Sequence, residues 1–294
     1  MFNSIKYNEP VFRPPAEANS AIIQATIGCS WNQCAFCEMY TSKSFRIKKF
    51  TDLQTEIALL AKYYQGVKKI FLADGNAFVL SASHLMPILQ EINTKFGKLQ
   101  RISSYALPKD ISSKTPAELK EIREAGLKLL YIGIESGDDE LLKRIHKSET
   151  FNSSVDGILK ARDAGIDVSV MVLNGLGGKN YSEQHAINSA KLVNQINPKF
   201  LSSLTLSFPF GQNHYKEKFD GEYISQTIVE LAAELKLFIS NLEIENSIFR
   251  SDHTSNNLVL KAILSKDKVE LVNEINRAIE SIDKNLYPQT PGIL

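Results

Sequence analysis

The sequence predicts an α/β protein built on a parallel sheet and extended by helices at its C-terminal end. Three observations lead there. Short apolar runs rich in β-branched residues alternate with helical segments through residues 21–206, and such repeats imply right-handed crossovers between parallel strands. Five consecutive strands end in small or functional residues, at the place where parallel α/β folds bind ligands. Beyond residue 210 the alternation gives way to loop and helix. Six strand–helix units are fewer than the eight of a closed barrel. The alternation by itself therefore leaves a doubly wound open sheet and an open (β/α)6 arc on equal terms.

The elements follow in order. Residues 1–20, with Pro10, Pro14 and Pro15, read as an extended lead-in. Ala21 to Ile27 is the first strand and delivers the chain to Gly28-Cys29. Thr51 with Gln54 three residues on is a capping-box signal, and the residues after it have helical periodicity. Val67 to Leu72 is the second strand, Ala82 to Ile92 a helix, and Arg101 to Tyr105 the third strand. Thr115-Pro116-Ala117-Glu118 joins an N-cap, an N1 proline and an N3 glutamate, a strong start for a helix that Gly126 ends. Leu127 to Ile134 is the fourth strand, followed by helices over Asp139 to His146 and Phe151 to Ala164. Ile166 to Leu173 is the fifth strand, Ser182 to Gln195 a helix, and Phe200 to Leu206 the sixth strand. Gly211 to Gly221 reads as a polar loop. Gln226 to Phe238 and Val269 to Ile282 read as helices, and Pro288 and Pro291 close the chain. The domain reading is thus a lead-in over 1–20, a core over 21–210 and an extension over 211–294 that covers the strand ends.

Bulk properties narrow the class. Lys+Arg number 34 against Asp+Glu 33, a net charge of +1, so no global field recruits nucleic acid or membrane. Lys43, Arg46, Lys48 and Lys49 cluster after the cysteines, and a solvated approach to the next helix is the plainer reading. No run approaches the roughly 20 apolar residues of a membrane span. The first residues lack an apolar signal core. A cytoplasmic protein is expected.

The chemistry centres on Cys29, Cys34 and Cys37, the three cysteines of the chain, spaced C-x4-C-x2-C. Thiolates are soft ligands that select iron–sulfur clusters, zinc or copper(I). An ordinary cubane cluster takes four cysteines, so three would leave one iron open. A zinc knuckle or an oxidised pair remains possible on spacing alone, although a disulfide would leave an odd thiol. The strand-end residues are Cys29 to Cys37, Asp74-Gly75-Asn76, Ser103-Ser104-Tyr105, Glu135-Ser136, Asn174-Gly175-Leu176-Gly177-Gly178, and Ser207.

These residues resemble those of the radical S-adenosylmethionine (SAM) superfamily. The cluster loop there is usually C-x3-C-x2-C with an aromatic before the last cysteine. Phe36 supplies the aromatic, while the first spacing here is one residue longer. Asp74-Gly75-Asn76 resembles the segment that holds the SAM amino group, with Asn76 in place of the usual glutamate and therefore without charge assistance. Ser103, Ser104 and Tyr105 lie where the third strand would approach ribose and sulfonium. Leu130 to Gly137 resembles the fourth-strand signature of the branch of oxygen-independent coproporphyrinogen oxidases and methylthiotransferases. In that branch the residue at Glu135 and a downstream basic residue, here Lys147 rather than Arg144, contact SAM; Ser136 follows. Gly175 and Gly177 resemble the fifth-strand glycines against which adenine packs. Plainer readings stand beside these: Glu135 as a cap for the next helix, and Gly177-Gly178 as a turn.

The resemblance implies a partial (β/α)6 TIM-like barrel. It also implies a [4Fe-4S] cluster on Cys29, Cys34 and Cys37 whose open iron is chelated by SAM. Reductive cleavage of SAM would give a 5′-deoxyadenosyl radical that abstracts hydrogen from a substrate carbon, with an external flavodoxin- or ferredoxin-like reductant as partner. Three cysteines leave none for an auxiliary cluster or a methyl-carrying thiol, and no D-x-H-x-x-G cobalamin signature is present. From another class, a cluster carrier without SAM chemistry and a zinc-stapled binding protein remain. His185 lies on the helix after the glycines. His253, with Arg250, Asp252, Asn256 and Asn257, forms a polar cluster that could touch substrate or simply form a hydrogen-bonded turn.

Overall fold

The computed structural model describes residues 5–64 and 66–281; Pro288 and Pro291 lie outside them. Eight strands form one mostly parallel sheet in the order β1-β4-β5-β6-β7-β8-β9-β10, and β2 and β3 form a separate pair. The chain gathers into two compact units. One comprises the residues up to Asn32 with Met39–Ile132 and Asp156–Val168; the other comprises Gln33–Glu38, Gly133–Val155 and the chain from Ser169 on. This partition cuts across the lead-in, core and extension read from the sequence.

In the first unit, β1 (Ala21–Gln24) pairs in parallel with β4 (Lys69–Ala73), β4 with β5 (Arg101–Tyr105), and β5 with β6 (Leu127–Glu135). Strands buried on both faces read as continuous apolar runs, and Ile70, Phe71 and Leu72 are fully buried. The first strand stops sooner than the sequence suggests. After Ala25 the chain leaves the sheet, and β2 (Thr26–Ile27) pairs antiparallel with β3 (Arg46–Ile47). The stretch 28–45, which holds all three cysteines, is therefore tied at its base.

Helix α1 (Phe50–Tyr63) starts directly after β3, with Lys49 at the N-cap and no side-chain cap. Thr51 lies inside its first turn, so the expected capping box is absent. Helix α2 spans Ala82–Lys95, and a short α3 (Pro108–Ser112) that the periodicity did not signal follows β5. Helix α4 (Pro116–Glu124) has the predicted cap: Thr115 accepts from the Glu118 amide and Glu118 from the Thr115 amide.

In the second unit, α5 (Asp139–Arg144) follows β6; α6 (Phe151–Asp163) returns the chain to the first unit from Asp156 on, and β7 (Asp167–Asn174) re-enters the second at Ser169. Strand β7 pairs in parallel with β8 (Phe200–Thr205), and β8 with β9 (Ile248–Arg250). Helix α7 (Gly178–Ile196) begins four residues before Ser182, because its first turn is drawn into the glycine loop. The expected polar loop after residue 211 contains helix α8 (Gln212–Lys218), anchored by buried Tyr215, whose hydroxyl donates to the Leu176 carbonyl at 2.7 Å.

The extension is not purely helical. Between α9 (Ile228–Ser240) and α10 (Leu264–Ser281) it adds β9 and an antiparallel β10 (Lys261–Ile263) to the sheet. Three-residue strands with one buried residue each are too short to leave a periodic signal.

Candidate active site

The strand ends of the first unit carry Cys29, Asp74, Gly75, Asn76, Ser103 and Ser104. Gly75 is dictated by Cys29: a Cβ there would stand 2.7 Å from the Cys29 Cβ and 2.9 Å from its Cα. The backbone after β4 can thus press against the first cysteine only where no side chain intervenes. Asn76 clamps the next residue. Its amide oxygen accepts from the Ser30 N–H at 2.9 Å, and its NH2 donates to Ser30 Oγ at 2.7 Å and to Asp110 Oδ2 at 2.9 Å. Both amide protons are therefore in use, and only one lone pair of the oxygen remains.

Asp74, fully buried, is bound through Oδ2 by Lys43 Nζ at 2.7 Å, the Gly28 N–H at 3.0 Å and Gln24 Nε2 at 3.2 Å. Lys43 also donates to the carbonyls of Asn8 and Pro10, at 2.6 and 2.5 Å. Its three protons are all engaged. Lys43 thus belongs to no basic patch, and Lys48 pairs with Glu56; of the expected cluster, Arg46 and Lys49 remain exposed. The hydroxyls of Ser103 and Ser104 bond carbonyls of β4, Ile70 at 3.4 Å and Leu72 at 3.1 Å. Asp110, 5% exposed, also accepts from the Leu107 N–H at 3.1 Å, and burial pushes its pKa up. The sequence reading missed this residue because it stopped each list at the strand end; Asp110 lies five residues further on.

The second unit carries Cys34, Phe36, Cys37, Glu135, Ser136, Lys147 and the glycine loop. Cys34 and Cys37 share a turn in which the Cys37 N–H donates to the Cys34 carbonyl at 3.2 Å. Glu135 does not cap the following helix; Asp138 does, accepting from the Leu141 N–H at 2.8 Å. Glu135 has a left-handed backbone, φ 61°, and its carboxylate folds back over Gly133, where an added Cβ would meet Oε1 at 1.9 Å. There it accepts from Lys147 Nζ at 3.1 Å, with side-chain exposures of 5% for the lysine and 13% for the glutamate.

The Lys147 ammonium lies 5.8 Å from the centroid of the Phe36 ring. Desolvation works against its charge, but Glu135, Cys34 and Glu149 outweigh burial and hold its pKa above the usual lysine value. Arg144 instead pairs with Glu140 on the surface. Lys147, not Arg144, is the basic residue beside Glu135.

Ser136 is buried; its Oγ lies 2.8 Å from His185 Nδ1 and accepts from the Asp138 N–H at 3.0 Å. His185 is thus part of the packing behind the strand end. The glycines after β7 are filled by the chain itself. A Cβ on Gly175 would stand 2.6 Å from Leu231 Cδ2, on Gly177 2.4 Å from Tyr181 Cβ, and on Gly178 2.3 Å from the Ile224 carbonyl oxygen. Buried Glu234 accepts from the Gly175 N–H at 2.6 Å and from Gln226 at 2.9 Å. Nothing in the sequence signalled Glu234, an acidic residue on an ordinary helix. His253 binds Ser255 Oγ at 2.8 Å within its own turn, while Asn256 bonds Ser203 and Thr205 on β8.

Among the described residues none of the three cysteines forms a disulfide, and all are half-buried. Cys29 belongs to the first unit, Cys34 and Cys37 to the second. Within neither unit, among the described residues, do three His, Cys, Asp or Glu side chains gather into a metal cage. Three reduced cysteines are a donor set of the soft kind that suits an iron–sulfur group.

Comparison with known proteins completes the picture. The family model described as the Radical SAM superfamily matches residues 23–193. The heme chaperone HemW of Bacillus subtilis is 27% identical over 167 residues, covering 53% of this chain and 43% of that protein. Among solved structures, coproporphyrinogen III oxidase from Escherichia coli superposes with a TM-score of 0.59 at 16% identity, over 75% of this chain and 52% of that one. The methyltransferase TsrM from Kitasatospora setae, solved with cobalamin and a [4Fe-4S] cluster, superposes with a TM-score of 0.53 at 19% identity, over 64% of this chain and 37% of that one. The chain spans less than half the length of the curated relatives it matches.

Proposed function

The chain belongs to the radical SAM superfamily, enzymes that use a [4Fe-4S] cluster and SAM, and from that premise we propose that Cys29, Cys34 and Cys37 hold the cluster and that Glu135 and Lys147 orient SAM for reductive cleavage. A cluster held by Cys29, Cys34 and Cys37 would supply the one-electron reduction that cleaves SAM to methionine and a 5′-deoxyadenosyl radical, the species that would take hydrogen from a substrate. The polypeptide binds, orients and excludes water.

One observation carries the reading. Lys147 has a buried side chain and is charged beside Cys34, yet among the described residues it uses only one of its three donors, on Glu135. A buried ammonium with open donors suits an anionic ligand group such as the SAM carboxylate. The Phe36 ring, its centroid 5.8 Å away, presents an aromatic face to that ammonium. Gly75 keeps the backbone of the β4 end against Cys29, and Asp74 and Asn76 brace it; the second lone pair of the Asn76 oxygen and Asp74 Oδ1, buried and without a hydrogen-bond partner among the described residues, are the acceptors they leave unused. Ser103, Ser104, Ser136, Gly175 and Gly177 complete the proposed SAM surround as packing and as hydrogen-bond acceptors. The hydroxyls of Ser103 and Ser104 already bond carbonyls of β4, and the Gly175 N–H is held by Glu234. Residues 211–294 form the cover, supported by the contacts of Leu231, Ile224 and Glu234 with the glycine loop. No described helix is long and apolar enough to cross a membrane, which accords with work in the cytosol beside an external reductant.

Anaerobic reconstitution followed by dithionite and SAM tests the reading. We expect 5′-deoxyadenosine from the wild type and none from Cys34→Ala, which should also lose bound iron and sulfide. Wild-type iron and sulfide content in that variant would refute the ligand assignment.

A further inference from the structure

The end of the sheet formed by β8, β9 and β10 has one packed face and one open face. Leu201, Ser203 and Thr205 on β8, Phe249 on β9 and Ala262 on β10 are buried. The residues that alternate with them are not. Phe200 and Ser202 are half-buried, Arg250 and Lys261 are exposed, and Ile248 and Ile263 are 37% and 39% exposed. Successive side chains of a strand point to opposite faces, and paired residues of neighbouring strands share a face. The register pairs Phe200 with Ile248 and Ile248 with Ile263, and likewise Ser202 with Arg250 and Arg250 with Lys261. An apolar row and a polar, cationic row therefore lie side by side on the open face. Strand β10 is the last of the sheet, so the face is open along that edge as well.

The cationic row is unbalanced. Like charges directly opposite across two strands are destabilising, and Arg250 faces Lys261. Asp252 lies 3.5 Å from Lys261 and offsets it in part, whereas Arg250 has no ion pair among the described residues. The same face of β8 continues to Leu204, which is paired with Leu173 on β7. Leu204 packs on the core cluster of Leu141, Leu173 and Leu206, and so does Phe36, the ring beside Lys147. Arg250 stands one strand across and two residues down from Leu204, roughly 8 Å away by strand geometry.

We propose that this face binds the substrate and that the substrate is an organic anion, its carboxylate or phosphate monoester on Arg250 and Lys261 and its apolar body along Leu204 toward Phe36. This names the substrate class of the reaction proposed above and rests on that reading. A guanidinium offers parallel N–H donors that match the oxygens of either headgroup, and an anion there relieves the repulsion between the facing cations. The row of Phe200, Ile248 and Ile263 keeps one side of the headgroup dry. A nucleic acid would instead require a longer track of phosphate-facing cations, and a stable protein interface takes about 20–30 residues a side, far more than this face provides.

Equilibrium dialysis of octanoate, octyl phosphate and neutral octanol against the reconstituted full chain tests the proposal. We expect at least one of the two anions to bind saturably, and the tighter of them identifies the headgroup. Arg250→Gln/Lys261→Gln, two changes at exposed positions, should weaken that anion on the order of tenfold and leave octanol unchanged. Leu204→Ala should weaken anion and alcohol alike. No saturable binding of either anion would overturn the proposal, as would equal affinity of wild type for anion and alcohol. Wild-type anion affinity in the charge-neutralised variant would overturn it too, and loss of a dimer or of binding to a single-stranded RNA oligonucleotide in that variant would then assign the face to that partner. Failure of wild type to form 5′-deoxyadenosine with dithionite and SAM would count against the enzymatic reading alone, because anion binding is read without turnover.

Discussion

Two buried lysine–carboxylate pairs stand at the strand ends, and they differ in what they leave over. Lys43 meets Asp74 after β4, and Lys147 meets Glu135 after β6. Lys43 gives its other two protons to the Asn8 and Pro10 carbonyls. Among the described residues Lys147 gives none elsewhere; its neighbours are an aromatic face and the charges of Cys34 and Glu149. The lysine of the first pair is fully engaged and staples the lead-in to the sheet, while Asp74 Oδ1 keeps no hydrogen-bond partner among the described residues. The second holds a cation in low dielectric with donors still open, and such a group is strained toward a ligand. Burial alone does not mark a functional lysine. The count of unanswered donors does.

Breaking each pair should therefore have different consequences. Lys43→Met leaves the fully buried Asp74 carboxylate without its counter-ion and two carbonyls without a donor, and should cost about 3–5 kcal/mol of stability, measured by urea unfolding. Lys147→Met should cost less stability but weaken SAM binding at least about tenfold, roughly 1.4 kcal/mol, measured by equilibrium dialysis on the reconstituted protein. Equal stability losses with unchanged SAM affinity would dissolve the distinction. Gly133→Ala reaches the same pair from behind: its Cβ would collide with Glu135 Oε1. It should lower stability by about 1–3 kcal/mol and reproduce part of the Lys147→Met binding defect.

A third buried lysine sharpens the contrast through pH. Lys114, 3% exposed, donates to the carbonyls of Phe78 and Asp110, at 2.7 and 3.0 Å, and no carboxylate oxygen faces it directly. Desolvation lowers its pKa to about 8 from 10.5, against the smaller pull of Asp110 and Glu118. Because the unfolded chain keeps that proton to higher pH, stability should rise with pH between about 8 and 10.5. Comparison with Lys114→Met isolates the effect, since the variant should lack that increment in unfolding curves taken across the range. The smallest change is expected at the α4 cap, where Thr115→Ala should cost about 1 kcal/mol.

Much of this was legible in the sequence. The α4 cap and the third strand, Arg101–Tyr105, were found at their true positions because their signals are local. The order of strand ends was readable because a parallel fold puts them at one edge. What stayed hidden was long-range. Lys43 looked like one cation of four, and only the fold brings Asp74 to it. Asp110 and Glu234 serve strand ends from outside the segments that were searched. Glu135 had a helix cap as its plainer alternative reading, but Asp138, three residues on, takes that role, and the glutamate folds back over Gly133. Strands β9 and β10 were invisible because three residues carry too little pattern.

The departure in spacing between Cys29 and Cys34 finds its explanation in the hairpin that follows Ala25. Pairing of Thr26 with Ile47 and of Ile27 with Arg46 fixes both feet of the excursion, so its interior can vary in contour length without disturbing either foot. Closing a loop of this size with one residue more changes the entropy by less than about 0.1 kcal/mol. Tolerance to insertion here is a property of the knot at the neck rather than of the thiols it encloses, and a chain fastened in this way can let out slack.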